Sequence, residues 1–201
     1  MMRRTVLAGL ILIVGAFGAP AILAAADPAA VINNLGNRAL EVLGKNATPA
    51  QRVARFHELF REDFDVPGLA RFVLGRYWKT ATPEEQTEFV KLFEDYIALV
   101  YSNQLAAYSG ETLKVTGSRT NAEEAIVASE IIRPAGTPPV KVDWHLTDRN
   151  GTYKISDVTV DGISMAVTQR SEFASVIQRS GGQVAGLIAQ LREKTAAAAP
   201  H

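Results

Sequence analysis

The hydrophobic period of this 201-residue chain changes once, and that change limits the folds open to it. As far as Tyr108 the apolar residues recur at helical spacing; beyond Gly110 they alternate. Four alternating segments follow, at Thr112–Ser118, Glu124–Ile132, Val140–Leu146 and Thr152–Val160. Turn signals separate them: Asn121, then Pro134, Gly136 and Pro138-Pro139, then Asn150-Gly151, a dipeptide suited to a two-residue hairpin. The pattern predicts an antiparallel meander. In the third segment Val140, Val142, Trp144 and Leu146 share one face, and Lys141, Asp143 and His145 the other. In the fourth, the phase slips between Tyr153/Ile155 and Val158/Val160, which predicts a β-bulge near Ser156-Asp157 and a curled sheet.

Helices are predicted on both sides of this block in the chain. Asp27 to Gly44 carries Val31, Leu35, Ala39, Leu40 and Leu43 on one face, and Thr48-Pro49 opens a second helix with Val53, Phe56, Leu59 and Phe60. A short helix over Asp65–Val73 is interrupted at Gly75. Thr82-Pro83-Glu84-Glu85 then combines a capping threonine, a first-turn proline and a glutamate three residues on, the signature of a capping box. The helix it starts is predicted to run to Tyr108, with Phe89, Leu92, Phe93, Tyr96, Val100, Gln104 and Tyr108 as an aromatic-rich stripe. After the strands, Ser164–Arg179 and Val184–Lys194 read as helices split by Gly181-Gly182, and residues 195–201 as a disordered tail. The predicted fold is α+β: a four-stranded curved antiparallel sheet packed against N- and C-terminal helices, enclosing an apolar cavity.

The first 26 residues have the form of a cleavable export signal: Arg3-Arg4, an uncharged apolar run from Val6 to Gly18, and Ala24-Ala25-Ala26 before Asp27. Without them, 19 Lys+Arg face 21 Asp+Glu, a net charge of about −2, which leaves no electrostatic footprint for nucleic acid. Residues 27–194 are expected to form a single domain. The chain has no cysteine, so disulfides, thiol catalysis, cysteine metal sites and a lipoprotein anchor are all excluded.

No constellation of catalytic residues stands out. His57, His145 and His201 lack metal-ligand spacing and read as solvated surface histidines, while Glu84, Glu85 and Glu88 belong to a helix start. GxSxG, P-loop and GxGxxG motifs are absent. A curved sheet closed by helices is also the shape of ketosteroid-isomerase-like enzymes, in which a pocket carboxylate acts as base. Asp143 alternates toward water and Asp161 precedes a turn glycine, so Asp157 at the bulge is the carboxylate placed to face inward. Arg71, Arg76, Lys79 and Arg170 are candidates for a pocket rim where a phosphate is met, or for ion pairs and solvated surface.

Three stretches are similar to one known family. The first is Leu74-Gly75-Arg76-Tyr77-Trp78 with Thr82-Pro83-Glu84-Glu85-Gln86 and the aromatic helix after it. The second is Asp157-Val158-Thr159-Val160-Asp161-Gly162-Ile163-Ser164. The third is Gln169-Arg170-Ser171-Glu172-Phe173, then Gly181-Gly182 and a Leu-rich helix ending at Leu191-Arg192. In order and spacing they resemble the periplasmic phospholipid-shuttle proteins of the MlaC, or toluene-tolerance, family. Gln169 stands where that family usually has a tyrosine.

The resemblance implies a periplasmic, monomeric carrier with no cofactor, no metal and no catalysis. It would exchange phospholipid between an outer-membrane lipoprotein complex and an inner-membrane ABC transporter complex; a hopanoid-associated branch makes a polycyclic terpenoid the alternative cargo. The physics agrees with a carrier. Burying methylenes gains about 0.8 kcal/mol each, so two chains of about 16 carbons hold on the order of 25 kcal/mol against water. A carrier pocket that returns most of this makes transfer nearly neutral, and direction must come from a partner. The expected lining is Phe89, Phe93, Tyr96, Val100, Val127, Ile131, Trp144, Leu146, Val158, Ile163, Met165 and Phe173, with Arg71, Arg76 and Arg170 at the rim.

Overall fold

The computed structural model describes residues 27–42, 47–105, 110–121, 124–134 and 137–197. The expected export signal, the stop at Gly44 and the end of the long helix at Tyr108 lie outside these residues. Side-chain caps set the helix starts. Asp27 accepts from the Ala29 amide ahead of α1 (Pro28–Val42). At α2 (Pro49–Asp63) Thr48 and Gln51 exchange the two bonds of a capping box. Asp65 accepts from the Gly68 amide to start α3 (Val66–Leu74). Gly75, at φ 58°, then turns the chain into a short 3-10 segment, Gly75–Lys79. Thr82 and Glu85 close the second capping box, at the head of α4 (Pro83–Leu105), as the sequence predicts.

The sheet has the predicted order, with one strand more. β1 (Thr112–Thr120), β2 (Glu124–Ile132), β3 (Val140–Arg149) and β4 (Thr152–Val160) form an antiparallel meander, and a two-residue β5 (Ile163–Ser164) pairs back on Thr159 and Val160. Asp161-Gly162 makes this extra hairpin: both residues have positive φ, as at Asn150-Gly151 between β3 and β4. The bulge falls where the phase slip placed it. His145 pairs with Asp157 and Leu146 with Ile155, so Ser156 is the extra residue. A second irregularity lies in β1, between Val115 and Gly117. The far edge of β4 is covered by Phe64, which bridges Ile155 while the Asp65 amide donates to the Ile155 carbonyl at 2.9 Å.

Ser164 caps α5 (Met165–Arg179), and α6 (Val184–Ala197) follows the Gly181-Gly182 break. The expected disordered tail needs correcting at its start. The helix continues through Thr195, whose hydroxyl donates to the Leu191 carbonyl at 2.9 Å, because the alanines that follow are strong helix formers. Residues 198–201 lie outside the described set.

The apolar interior is divided in two. α3, α4, α5 and α6 close around one core, with Leu74, Phe89, Phe173, Ile177 and Leu187 at its centre. α1 and α2 cover the sheet face to make the other, built from Ile32, Leu35, Leu59, Val127, Leu146 and Ile155. Phe64 packs against both. Ion pairs tie elements together at the periphery: Arg38 of α1 reaches Glu62 and Asp63 at the end of α2, and Arg192 of α6 makes a two-pronged bond to Glu88 of α4 at 2.5 and 2.6 Å.

Candidate functional site

The seam between the two cores is not filled. A cavity of about 280 Å³ lies there, close to the lower end of the range of about 300–1,000 Å³ in which small-molecule sites fall. Five helices contribute to it through residues four apart, which share a helix face: Leu35 and Ala39 from α1, Phe56 and Phe60 from α2, Leu69 and Val73 from α3, Phe93, Ile97 and Tyr101 from α4, Met165 and Gln169 from α5. Leu59, Ala166 and Gln104 complete the helical walls, Phe64 comes from the link after α2, and Trp144, Asp157 and Val158 come from the sheet. Trp144 and Val158 face each other across β3 and β4 in a register that the Ser156 bulge sets.

Polar groups on this lining are few and mostly engaged. The Trp144 indole donates to Ser129 Oγ at 2.9 Å, and that buried hydroxyl donates in turn to the Val142 carbonyl at 3.1 Å. The Asp157 carboxylate does face inward. Its Oδ1 accepts from the Val158 amide at 2.7 Å and the Ala166 amide at 3.0 Å, and its Oδ2 accepts from the Ser164 hydroxyl at 2.5 Å. It therefore ties the end of β4 to the first turn of α5. The open end is marked by Gln104, which is exposed, and by the half-buried Ala39, Tyr101, Met165 and Gln169. Leu69, Val73, Phe60 and Phe93 are buried at the closed end. Burial raises the Tyr101 phenol above its ordinary value, and the charge of Glu172, then Tyr96 and Asp157, raise it further.

Of the twelve residues expected on the lining, Phe93, Trp144, Val158 and Met165 are on it. The other eight are elsewhere. Phe89 and Tyr96 both pack on Phe173, with ring centroids 5.8 Å apart for Phe89–Phe173 and 6.0 Å for Tyr96–Phe173, and so belong to the helical core. Val127 and Leu146 are fully buried under α1 and α2. Val100 and Ile131 are half-buried away from the cavity, and Ile163 is 60% exposed because the β5 hairpin turns it outward. None of the expected rim arginines lines the cavity. Arg71 is exposed, Arg76 donates to the Tyr77 hydroxyl at 2.8 Å, and Arg170 lies over the Phe72 ring at 5.3 Å, beside Gly75. His57 also departs from expectation. It is not a solvated histidine but bridges Glu94 at 3.3 Å and Asp95 at 3.0 Å, joining α2 to α4 behind Phe56 and Phe60. His145 lies within 3.2 Å of the Thr159 hydroxyl.

The helical contributions from α1, α2 and α3 were missed as site residues, although Leu35/Ala39 and Phe56/Phe60 were visible as apolar faces. Phe93, Ile97 and Tyr101 carry the detectable signal, an aromatic-aliphatic stripe at strict four-residue spacing on α4. Among the described residues no helix is long and apolar enough to cross a membrane, and no group of three His, Cys, Asp or Glu is placed to hold a metal ion.

Comparison with known proteins agrees with this architecture. A solved structure of a phospholipid-binding protein from Ralstonia solanacearum, in complex with a phospholipid, superposes with a TM-score of 0.73 at 24% identity, covering 87% of this chain and all of that one. The chain is 23% identical over 113 residues to the intermembrane phospholipid transport system binding protein MlaC of Haemophilus influenzae, covering 54% of this chain and 53% of the relative. It is 25% identical over 122 residues to the toluene tolerance protein ttg2D of Pseudomonas putida, covering 60% of this chain and 56% of the relative. These alignments thus span about half the length of each relative. The family model for MlaC protein matches residues 33–193, a stretch that takes in every cavity-lining residue, and the chain belongs to the MlaC family.

Proposed function

We propose that this protein is a periplasmic lipid carrier, exported with cleavage of residues 1–26, and that a phospholipid tail occupies the cavity between its two cores. The observation that carries the reading is the lining itself: five helices and the sheet turn mostly apolar side chains toward a space that their own packing leaves open, and polar groups gather at one end. A solid core would have closed this space, since protein interiors are packed to crystal-like density. Membership of the MlaC family and the phospholipid held by the Ralstonia protein support the choice of ligand. In this reading Phe60, Phe93, Ile97, Trp144, Val158 and Met165 touch the acyl chain, and Tyr101, Gln104 and Gln169 stand by the headgroup. The same reading makes an outer-membrane lipoprotein complex and an inner-membrane ABC transporter the donor and acceptor, with ATP hydrolysis on the transporter supplying direction.

The test is extraction of the protein purified from cells, followed by mass spectrometry of the organic phase. Near-stoichiometric phospholipid is expected, and the same spectrum would identify a hopanoid by mass. An empty extract, together with no uptake from labelled vesicles, would refute the carrier.

A further inference from the structure

The open end of the cavity offers hydrogen bonds and negative charge, and among the described residues no Lys, Arg or His lines it. Tyr101 and Gln104 reach it from the last turns of α4, Gln169 from α5 and Asp157 from β4. Glu172, one turn beyond Gln169, accepts from the Gln169 amide at 3.2 Å. The neighbouring cations are turned to other partners. Arg170 lies over Phe72, and Lys194 lies over Tyr96, whose ring packs on Phe173 and not on the cavity. The direction of the Tyr101 phenol agrees, because Glu172 and Asp157 both add to the effect of burial there and no cation opposes them.

Taking the carrier reading as its basis, we infer that the mouth lined by Tyr101, Gln104, Gln169 and Asp157, with Glu172 bonded to Gln169 just outside it, selects zwitterionic phospholipids whose headgroup ends in an ammonium over phospholipids of net negative charge. The division of labour follows from donor and acceptor chemistry. The Tyr101 hydroxyl and the amide groups of Gln104 and Gln169 can donate to phosphate oxygens; Gln169 keeps one N–H free after its bond to Glu172. The carboxylate of Glu172 attracts an ammonium, and it gives no such attraction to a headgroup whose only charge is the phosphate. Phosphate is thus met by neutral donors, and the rest of the headgroup is sorted by charge. Glu172 is exposed, so its influence is that of a surface charge.

The experiment uses the mature protein stripped of lipid and incubated with vesicles of equal phosphatidylethanolamine and phosphatidylglycerol bearing identical acyl chains. The protein is re-isolated and its lipid identified by mass spectrometry. The expected result is about a threefold enrichment of phosphatidylethanolamine, a size set by one weakly screened surface charge, and a smaller enrichment at ~1 M salt. Glu172→Gln should lower the enrichment, and Glu172→Lys should remove or reverse it; circular dichroism checks that both variants keep their fold. Equal uptake by the unaltered protein, or enrichment that Glu172→Lys leaves unchanged, would overturn the inference while leaving the carrier intact. No uptake of either lipid would overturn the carrier reading itself, and this inference with it.

Discussion

Ala166 and Ala70 are both buried alanines, and enlarging them should have opposite consequences. Ala166 borders the cavity, whereas Ala70 is fully buried in the helical core and does not border it. Ala166→Phe places a ring in space that is already empty, and the Asp157 bond to the residue 166 amide is a backbone contact that survives the change. Burying a Phe side chain gains about 1.5–3 kcal/mol, and the ring restores dispersion contacts that the walls now lack. Ala70→Phe forces the same ring into packed space at a cost of about 1–3 kcal/mol or more. At about 2–4 °C per kcal/mol for a domain of this size, the first variant should melt a few degrees above the lipid-free parent and the second several degrees below it. The assay is thermal unfolding of lipid-free protein, paired with lipid extraction after exposure to vesicles. Ala166→Phe should lose its lipid while gaining stability. A destabilised Ala166→Phe, or one that still carries a full lipid load, would refute the idea that this space is an unfilled ligand site.

Three further outcomes follow from contacts already described. Asp157→Ala removes the acceptor shared by Val158, Ser164 and Ala166, and should cost about 2–3 kcal/mol in urea unfolding, while Asp157→Asn, which keeps Oδ1, should cost about half of that. Gly75→Ala puts a Cβ 2.8 Å from Arg170 Nε in a left-handed backbone, so a loss of about 1–2 kcal/mol is expected; an unchanged midpoint would contradict the tight approach. Burial raises the Asp63 carboxyl above its ordinary value of 3.8, against the pull of Arg38. The folded state therefore holds that proton more tightly than the unfolded chain, and its contribution is full below the ordinary value and lost as pH rises through the folded one. Unfolding free energies of the parent and Asp63→Asn, measured from pH 7 down to about pH 4, should differ increasingly in the parent's favour as pH falls. A difference that shrinks over that range would show the Arg38 pairing to dominate instead.

Local rules made much of the fold legible. Thr82 and Glu85 announced α4, Asn150-Gly151 the hairpin, and the slip between Ile155 and Val158 the bulge at Ser156, because each is a property of a few neighbouring residues. The cavity was less legible for a physical reason. Periodicity tells which side of an element faces inward, but not whether that inward space is occupied. Phe89 and Phe93 stand one turn apart on the same stripe, yet Phe89 meets Phe173 in solid packing and Phe93 has the void beside it. Trp144 and Leu146 alternate on one strand face and both pack against the core under α1 and α2, yet Leu146 is fully buried in it and Trp144 stands half-buried on the cavity wall. Such differences depend on where two separately closed cores fail to meet, which no single segment encodes. The rim arginines illustrate the same limit, since Arg170 is drawn to Phe72 and Gly75, neighbours distant in the chain.

The Phe64–Ile155 bridge has a bearing on self-association. A sheet grows by recruiting a strand from another molecule wherever an edge offers a free row of amides and carbonyls. β4 is covered at one end by Phe64 and Asp65 and at the other by β5, so that edge presents no continuous template. Recruitment is left to β1, where the irregularity between Val115 and Gly117 breaks the row and Lys114 and Arg119 place charge along it. A sheet that must stay next to an apolar void is in this way guarded against polymerising, by the Phe64-Asp65 segment and the short β5 on one side and a kinked, basic strand on the other.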